Sequence, residues 1–172
     1  MTDWPALLRD HGPLVWRTAY RLLGREADAA DCFQQTFLAA VELERHEPIR
    51  HWPATLKRIA TARALDRLRE RYRQATRSGE LPANQPDVRM VDTVDLAQAG
   101  ELAERLRIAL TEIDPRQAEA FCLIALENHS YDEAAAALSL TANHAGVLLN
   151  RAKTALRERL IAFAPATSGG RT

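Results

Sequence analysis

The chain has 172 residues, of which 47% are apolar and 27% charged, and its 23 basic and 23 acidic side chains leave a formal net charge of 0. That is the mixture of a globular protein, long enough for one ordinary domain or two small ones. No apolar run approaches the roughly 20 residues a bilayer span requires, so membrane insertion is not expected.

The start, Met1-Thr2-Asp3-Trp4-Pro5, lacks the basic opening and apolar core of a secretory signal, and a cytoplasmic location is expected. Helical spacing begins with Trp4, Leu7, Leu8 and His11 and is interrupted at Gly12-Pro13, where Pro13 fits the first turn of a renewed helix. That helix, Leu14 to Leu23, is closed by Gly24. The next runs from about Ala27 to Leu43, with Ala30, Phe33, Phe37 and Ala40 or Val41 as its apolar stripe. Its opposite side carries Asp31, Gln34, Gln35, Leu38 and Glu42 as one continuous face, and an apolar residue among polar ones suits a protein contact.

Two prolines make the stretch His46 to Pro53 a loop. A third helix, about Ala54 to Arg73, places Leu65, Leu68 and Tyr72 on one face and Arg63, Arg67 and Arg71 on a neighbouring one. From Thr76 to about Gly100 periodicity gives way to Pro, Gly, Ser, Asn and Asp, the composition of a linker. Helical spacing returns with Leu102, Leu106, Leu110 and Ile113. Asp114-Pro115 then caps a helix expected to turn Ala118, Phe121, Cys122 and Ala125 inward. Ser130-Tyr131-Asp132-Glu133 has the form of a capping box opening a short helix to Leu138. After a tight turn at Ser139-Leu140, Thr141 can cap a longer helix reaching about Phe163.

The fold class expected is therefore all-α. Two small helical domains, 1–75 and 101–163, flank a linker at 76–100, and a disordered tail follows at 164–172. Cys32 and Cys122, far apart inside apolar patterns, are expected as buried free thiols. The five histidines show no zinc-ligand spacing, and His46 and His51 in one loop suit solvent better than a metal; no cofactor is expected.

The charge is unevenly placed. Lys57, Arg58, Arg63, Arg67, Arg69, Arg71, Arg73 and Arg77 crowd one stretch, and Arg151, Lys153, Arg157 and Arg159 form a second. Two basic regions around an acidic middle suit a protein that touches a polyanion at two places. A short capped helix, a tight turn and a longer helix make a helix-turn-helix, whose second helix enters the major groove. Its early exposed residues would be Thr141, Asn143, His144, Val147 and Asn150, with Arg151 and Lys153 placed for phosphates. In the first domain, arginines of the third helix could neutralise phosphates and Trp52 could stack on an unpaired base. The plainer reading has those arginines solvating a long helix and Trp52 anchoring its loop. No Gly-rich phosphate loop, nucleophile elbow or paired carboxylates point to catalysis, and the chain is not expected to be an enzyme.

In this order the motifs resemble extracytoplasmic-function sigma factors of the sigma-seventy family. Leu14 to Gly24 followed by Asp28 to Leu38, and then Ala64-Leu65-Asp66-Arg67-Leu68-Arg69, are similar to sigma region two. Pro115 to Phe121, Ser130 to Ala135 and Asn150-Arg151-Ala152-Lys153 are similar to region four. The resemblance implies an alternative sigma factor that binds core RNA polymerase and directs promoter-specific initiation. Asp31, Gln34, Gln35 and Leu38 would dock on the β′ clamp helices. The loop with Arg50, His51 and Trp52, and the helix start with Lys57 and Arg58, would capture the melted strand of the minus-ten element. Region four would read the minus-thirty-five element of promoter DNA and lean on the β flap. An anti-sigma factor is a further partner the family allows.

The chain departs from the family pattern where Ala30 and Gln35 replace acidic residues and where Gly146 and Leu148 replace a basic pair. Between Trp52 and Ile59 there are also more residues than in the common version. Two alternatives stay open: a sigma-like decoy that binds an anti-sigma factor or polymerase without reading DNA, and a dimeric helix-turn-helix repressor.

Overall fold

A computed structural model describes residues 2–80 and 94–162. Seven α-helices and one π-helical turn make up the described structure, with no strand among the described residues. They are α1 (Trp4–Leu23), α2 (Glu26–His46), α3 (Trp52–Ser78), α4 (Val94–Glu112), α5 (Pro115–Phe121), a π-turn (Cys122–Leu126), α6 (Tyr131–Leu138) and α7 (Ala142–Ala162).

Helix α1 does not break at Pro13. It is one helix with Pro13 inside it, because Leu7, Val15, Ala19 and Leu22 stay on one buried face across the proline. The packing of that face outweighs the hydrogen bond the ring removes. Gly12 is buried beneath the Phe33 ring, 3.6 Å from where a Cβ would stand. At the far end Gly24, at φ 67°, closes α1 in the left-handed conformation, and its N–H donates to the Tyr20 carbonyl.

The buried ridge of α2 is Ala29, Cys32, Thr36 and Ala40, with Phe33 and Phe37 half-buried beside it. It begins one residue earlier than Ala30 suggested, and of Ala40 and Val41 it is Ala40 that is buried. Thr36 can join it because its hydroxyl donates to the Cys32 carbonyl at 2.7 Å. Helix α3 begins at Trp52 and continues to Ser78, and α4 begins at Val94, so helix enters both ends of the expected linker. The rest of that stretch and the expected tail lie outside the described residues.

In the second half the local signals hold. The Asp114 carboxylate accepts from the N–H groups of Arg116 and Gln117, the Ser130–Glu133 capping box is formed in both directions, and Thr141 caps α7 through the His144 N–H. The π-turn was not foreseen. Its wider coil leaves Ala118 and Cys122 inside but rotates Ala125 out to solvent, against the expectation for that residue.

The two halves share a core. Leu22 and Leu23 of α1 and Leu65 and Leu68 of α3 pack in one cluster with Leu110, Ile113, Cys122 and Leu156 from the second half. A separate cluster of Leu7, Val15, Ala40, Leu56, Ile59 and Ala60 belongs to the first three helices alone.

Candidate polymerase and nucleic-acid interfaces

The polar face of α2 stands clear of the core. Asp31, Gln34 and Gln35 are exposed, and Leu38 is 62% exposed. Arg67 lies under this face. Its guanidinium donates to the Asp28 carboxylate at 2.9–3.0 Å and lies 3.9 Å from Asp31, so it braces α2 from α3. Arg71 donates to the same carboxylate at 3.1 Å and to the Leu23 carbonyl at 3.0 Å. Burial works to raise the Asp28 pKa, but the hydrogen bonds and charges of Arg67 and Arg71 outweigh it and hold the carboxyl below its usual range.

Along the loop before α3, Arg50 and His51 are exposed. Trp52 is half-buried and meets Trp4 edge-on, ring centroids 5.5 Å apart, so its ring anchors the loop. Lys57 and Arg58 are half-buried, and Arg63 is exposed. Lys57 and Arg58 line a cleft of about 840 Å³ together with Arg50, His51 and, from the second half, His129 and Glu133. Lys57 Nζ donates to the Glu127 carbonyl at 2.9 Å. His129 is buried with both ring nitrogens unpartnered. Burial first, and the Lys57 charge second, push its pKa down.

Helix α7 presents Asn143, His144, Asn150, Arg151 and Lys153 to solvent, with Val147 37% exposed among them. Thr141 is exposed at the turn, its hydroxyl accepting from the His144 N–H. Leu148 and Leu149 face inward, at 6% and 2% exposure. Gly146 lies under the Tyr131 ring, 3.5 Å from where a Cβ would stand. The two positions that lack the family's basic residues thus serve packing within the unit: one turns into the core and the other receives an aromatic ring.

Nothing in the sequence singled out the groups that join the halves: the Thr18 hydroxyl donates to the Glu127 carboxylate at 2.9 Å, the Tyr72 hydroxyl meets the Glu104 carboxylate, and Arg107 donates to the Leu22 carbonyl at 2.8 Å. Nothing local marks Glu127 as buried, since it simply follows an apolar run. No group of three His, Cys, Asp or Glu side chains among the described residues is placed to hold a metal, and no described helix is long and apolar enough to cross a membrane.

The described structure is thus a three-helix unit with an open polar face, followed by a capped helix-turn-helix whose second helix exposes amides and cations. The family profile of sigma-70 region 2 matches residues 7–74 and that of sigma-70 region 4 matches residues 102–156, together well over half of the chain. The chain is 30% identical over 162 residues to the ECF RNA polymerase sigma factor SigE of Mycolicibacterium smegmatis, a match covering 93% of this chain and 62% of that protein. Among solved structures it is similar to the sigma factor RpoE of Bartonella quintana, crystallised with the anti-sigma factor NepR. That match has a TM-score of 0.57 at 23% identity, over 95% of this chain and 99% of the other, and speaks to the fold. CnrH, solved with the cytosolic domain of CnrY, matches with a TM-score of 0.56 at 25% identity, over 93% of this chain and 88% of the other. The chain belongs to the sigma-70 family.

Proposed function

We propose that the chain is a dissociable specificity subunit of bacterial RNA polymerase: it binds the core enzyme, recognises a promoter and helps to open it, acting in the cytoplasm. The observation that carries this reading is the pairing of an uncovered α2 face with an uncovered reading edge of α7, one on each matched region. On this reading Asp31, Gln34, Gln35 and Leu38 meet the β′ clamp helices. Arg50, His51, Trp52, Lys57, Arg58 and Arg63 serve the melted minus-ten strand, while Arg67 contributes by bracing α2. Region four, within the domain expected at 101–163, rests on the β flap and reads the minus-thirty-five duplex through Thr141, Asn143, His144, Val147 and Asn150, with Arg151 and Lys153 on phosphates. The similar RpoE, solved with the anti-sigma factor NepR, supports such a factor as a partner here too.

The test is transcription by core polymerase on a genomic fragment library, with and without the chain. Promoter-dependent transcripts are expected, and their absence would refute the reading. Asn150→Ala should cost about 1–3 kcal/mol at one base position, whereas Arg151→Ala should weaken all sequences alike and lower the salt slope by about 1.

One observation favours the decoy as a second reading: Leu148, standing at a basic-reader position, is buried and cannot reach a base. A decoy would show neither a salt slope nor a sequence preference.

A further inference from the structure

The cleft lined by the loop before α3, the start of α3 and α6 has a volume of about 840 Å³, within the roughly 300–1,000 Å³ that small-molecule ligands occupy. We propose that it is a binding site for a nucleoside phosphate, with Arg50 and Arg58 on the phosphates and His129 on the edge of the base. Nothing in this requires the chain to be a specificity subunit.

His129 is the observation that points to a ligand. It is 6% exposed and lines the cleft, yet neither ring nitrogen has a partner. Buried polar groups are hydrogen-bonded in the great majority of cases, so two open ring nitrogens mark a place where something else binds. The backbone that carries the ring is held firmly. Asn128 adopts the left-handed conformation, at φ 56°, which asparagine tolerates, and the His129 N–H donates to the Leu123 carbonyl at 2.9 Å. Burial and the Lys57 charge lower the His129 pKa, so at neutral pH the ring is uncharged and offers one N–H donor and one acceptor.

The rest of the lining selects the chemistry. Arg50, Lys57 and Arg58 bring three positive charges, against the carboxylates of Glu47 and Glu133. Glu133 already accepts from the Ser130 N–H at 2.7 Å, and Lys57 donates to the Glu127 carbonyl. The guanidinium groups of Arg50 and Arg58, neither hydrogen-bonded within the described residues, are left for an anion. A planar guanidinium fork matches phosphate oxygens in pairs. The remaining walls are apolar and small, among them Ile49, Pro53, Ala54, Ala136 and Ala137. An acyl body there would leave His129 unbonded, and a bare sugar phosphate would leave the apolar walls unfilled. A flat heterocycle with donors and acceptors along its edge meets both, and joined to phosphate it is a nucleotide.

Calorimetric titration of the full chain with the diphosphates of adenosine, guanosine, cytidine and uridine, each alone, tests the site. At least one should bind with one molecule per chain, about tenfold more tightly than its own nucleoside or inorganic pyrophosphate. His129→Ala should weaken that binding about tenfold through the lost hydrogen bonds to the base, and Arg50→Ala by a similar factor. Arg50 is an exposed loop residue, so the second variant keeps the test decisive if the first fails to fold. Arg17→Ala, which removes an exposed cation of α1 outside the cleft, should leave the affinity unchanged. In a chain carrying nitrogen-labelled histidine, the ring signals of His129 should shift on binding while those of the exposed His144 stay in place. No binding by any of the diphosphates would overturn the proposal. So would equal losses in Arg17→Ala and Arg50→Ala, which would mark plain attraction between charges. Binding of a single-stranded oligothymidylate without binding of any free nucleotide would also overturn it, by assigning the cleft to a strand.

Discussion

Asp28 is the carboxylate on which α2, α3 and the end of α1 converge, and Asp28→Asn isolates its charge with little change of shape. The carboxylate is 8% exposed and receives both Arg67 and Arg71. Breaking a buried ion pair by removing one partner costs about 3–5 kcal/mol. Arg67 is about half exposed, so water screens its share, whereas the Arg71 side chain is only 10% exposed and would keep Glu104, at 3.7 Å, as its one carboxylate, beside its hydrogen bonds to the Leu23 carbonyl and the Tyr72 hydroxyl. The lower end, about 3 kcal/mol, is therefore expected. If the two halves unfold as one unit of about 150 residues, each kcal/mol lowers the midpoint by about 2–4 °C, so the loss should be about 6–12 °C. Scanning calorimetry of the free chain measures this. A shift below about 2 °C with unchanged helicity would show that the Asp28 charge contributes nothing net, and that the hydrogen-bonding shape alone holds the junction.

Acid should act through the same group. The folded pKa of Asp28 is lowered, so its contribution is complete above the unfolded value of about 3.9 and is lost as pH falls through the folded value. Urea midpoints at pH 7 and pH 3 should differ less for Asp28→Asn than for the unaltered chain, and equal differences would contradict this. Leu110→Ala, at a position 1% exposed in the shared cluster, should cost about 2–5 kcal/mol and lower hydrogen-exchange protection in α1 as well as α5. Loss confined to the second half would refute the shared core. Burial pushes the Cys32 thiol up to about 11 and raises that of Cys122 as well, so neither should react with a thiol reagent at pH 7.5 until urea unfolds the chain. Fast labelling of either in the native state would disprove their burial.

Much of the local architecture was legible in the residues. Capping is a contact between groups three positions apart, so Asp114, Ser130 with Glu133, and Thr141 announced their helices correctly. The polar side of α2 and the exposed edge of α7 followed from 3.6-residue periodicity for the same reason, and both thiols are buried as their apolar surroundings implied. Where a local rule competed with packing, it lost. Pro13 reads as a break, yet α1 passes through it, and Ala125 reads as inward until the π-turn rotates it out. The partners of the charges were decided by the tertiary structure alone. Arg67 reads as one of a basic row but is spent on Asp28, and Lys57 on a carbonyl 70 residues away. Thr18 and Glu127 meet across 109 residues. Spacing along a helix says which side chains share a face. Which face of the second half closes on the first depends on the fit of Leu22, Leu68, Leu110 and Cys122 in three dimensions, and that fit placed Glu127 beside Lys57.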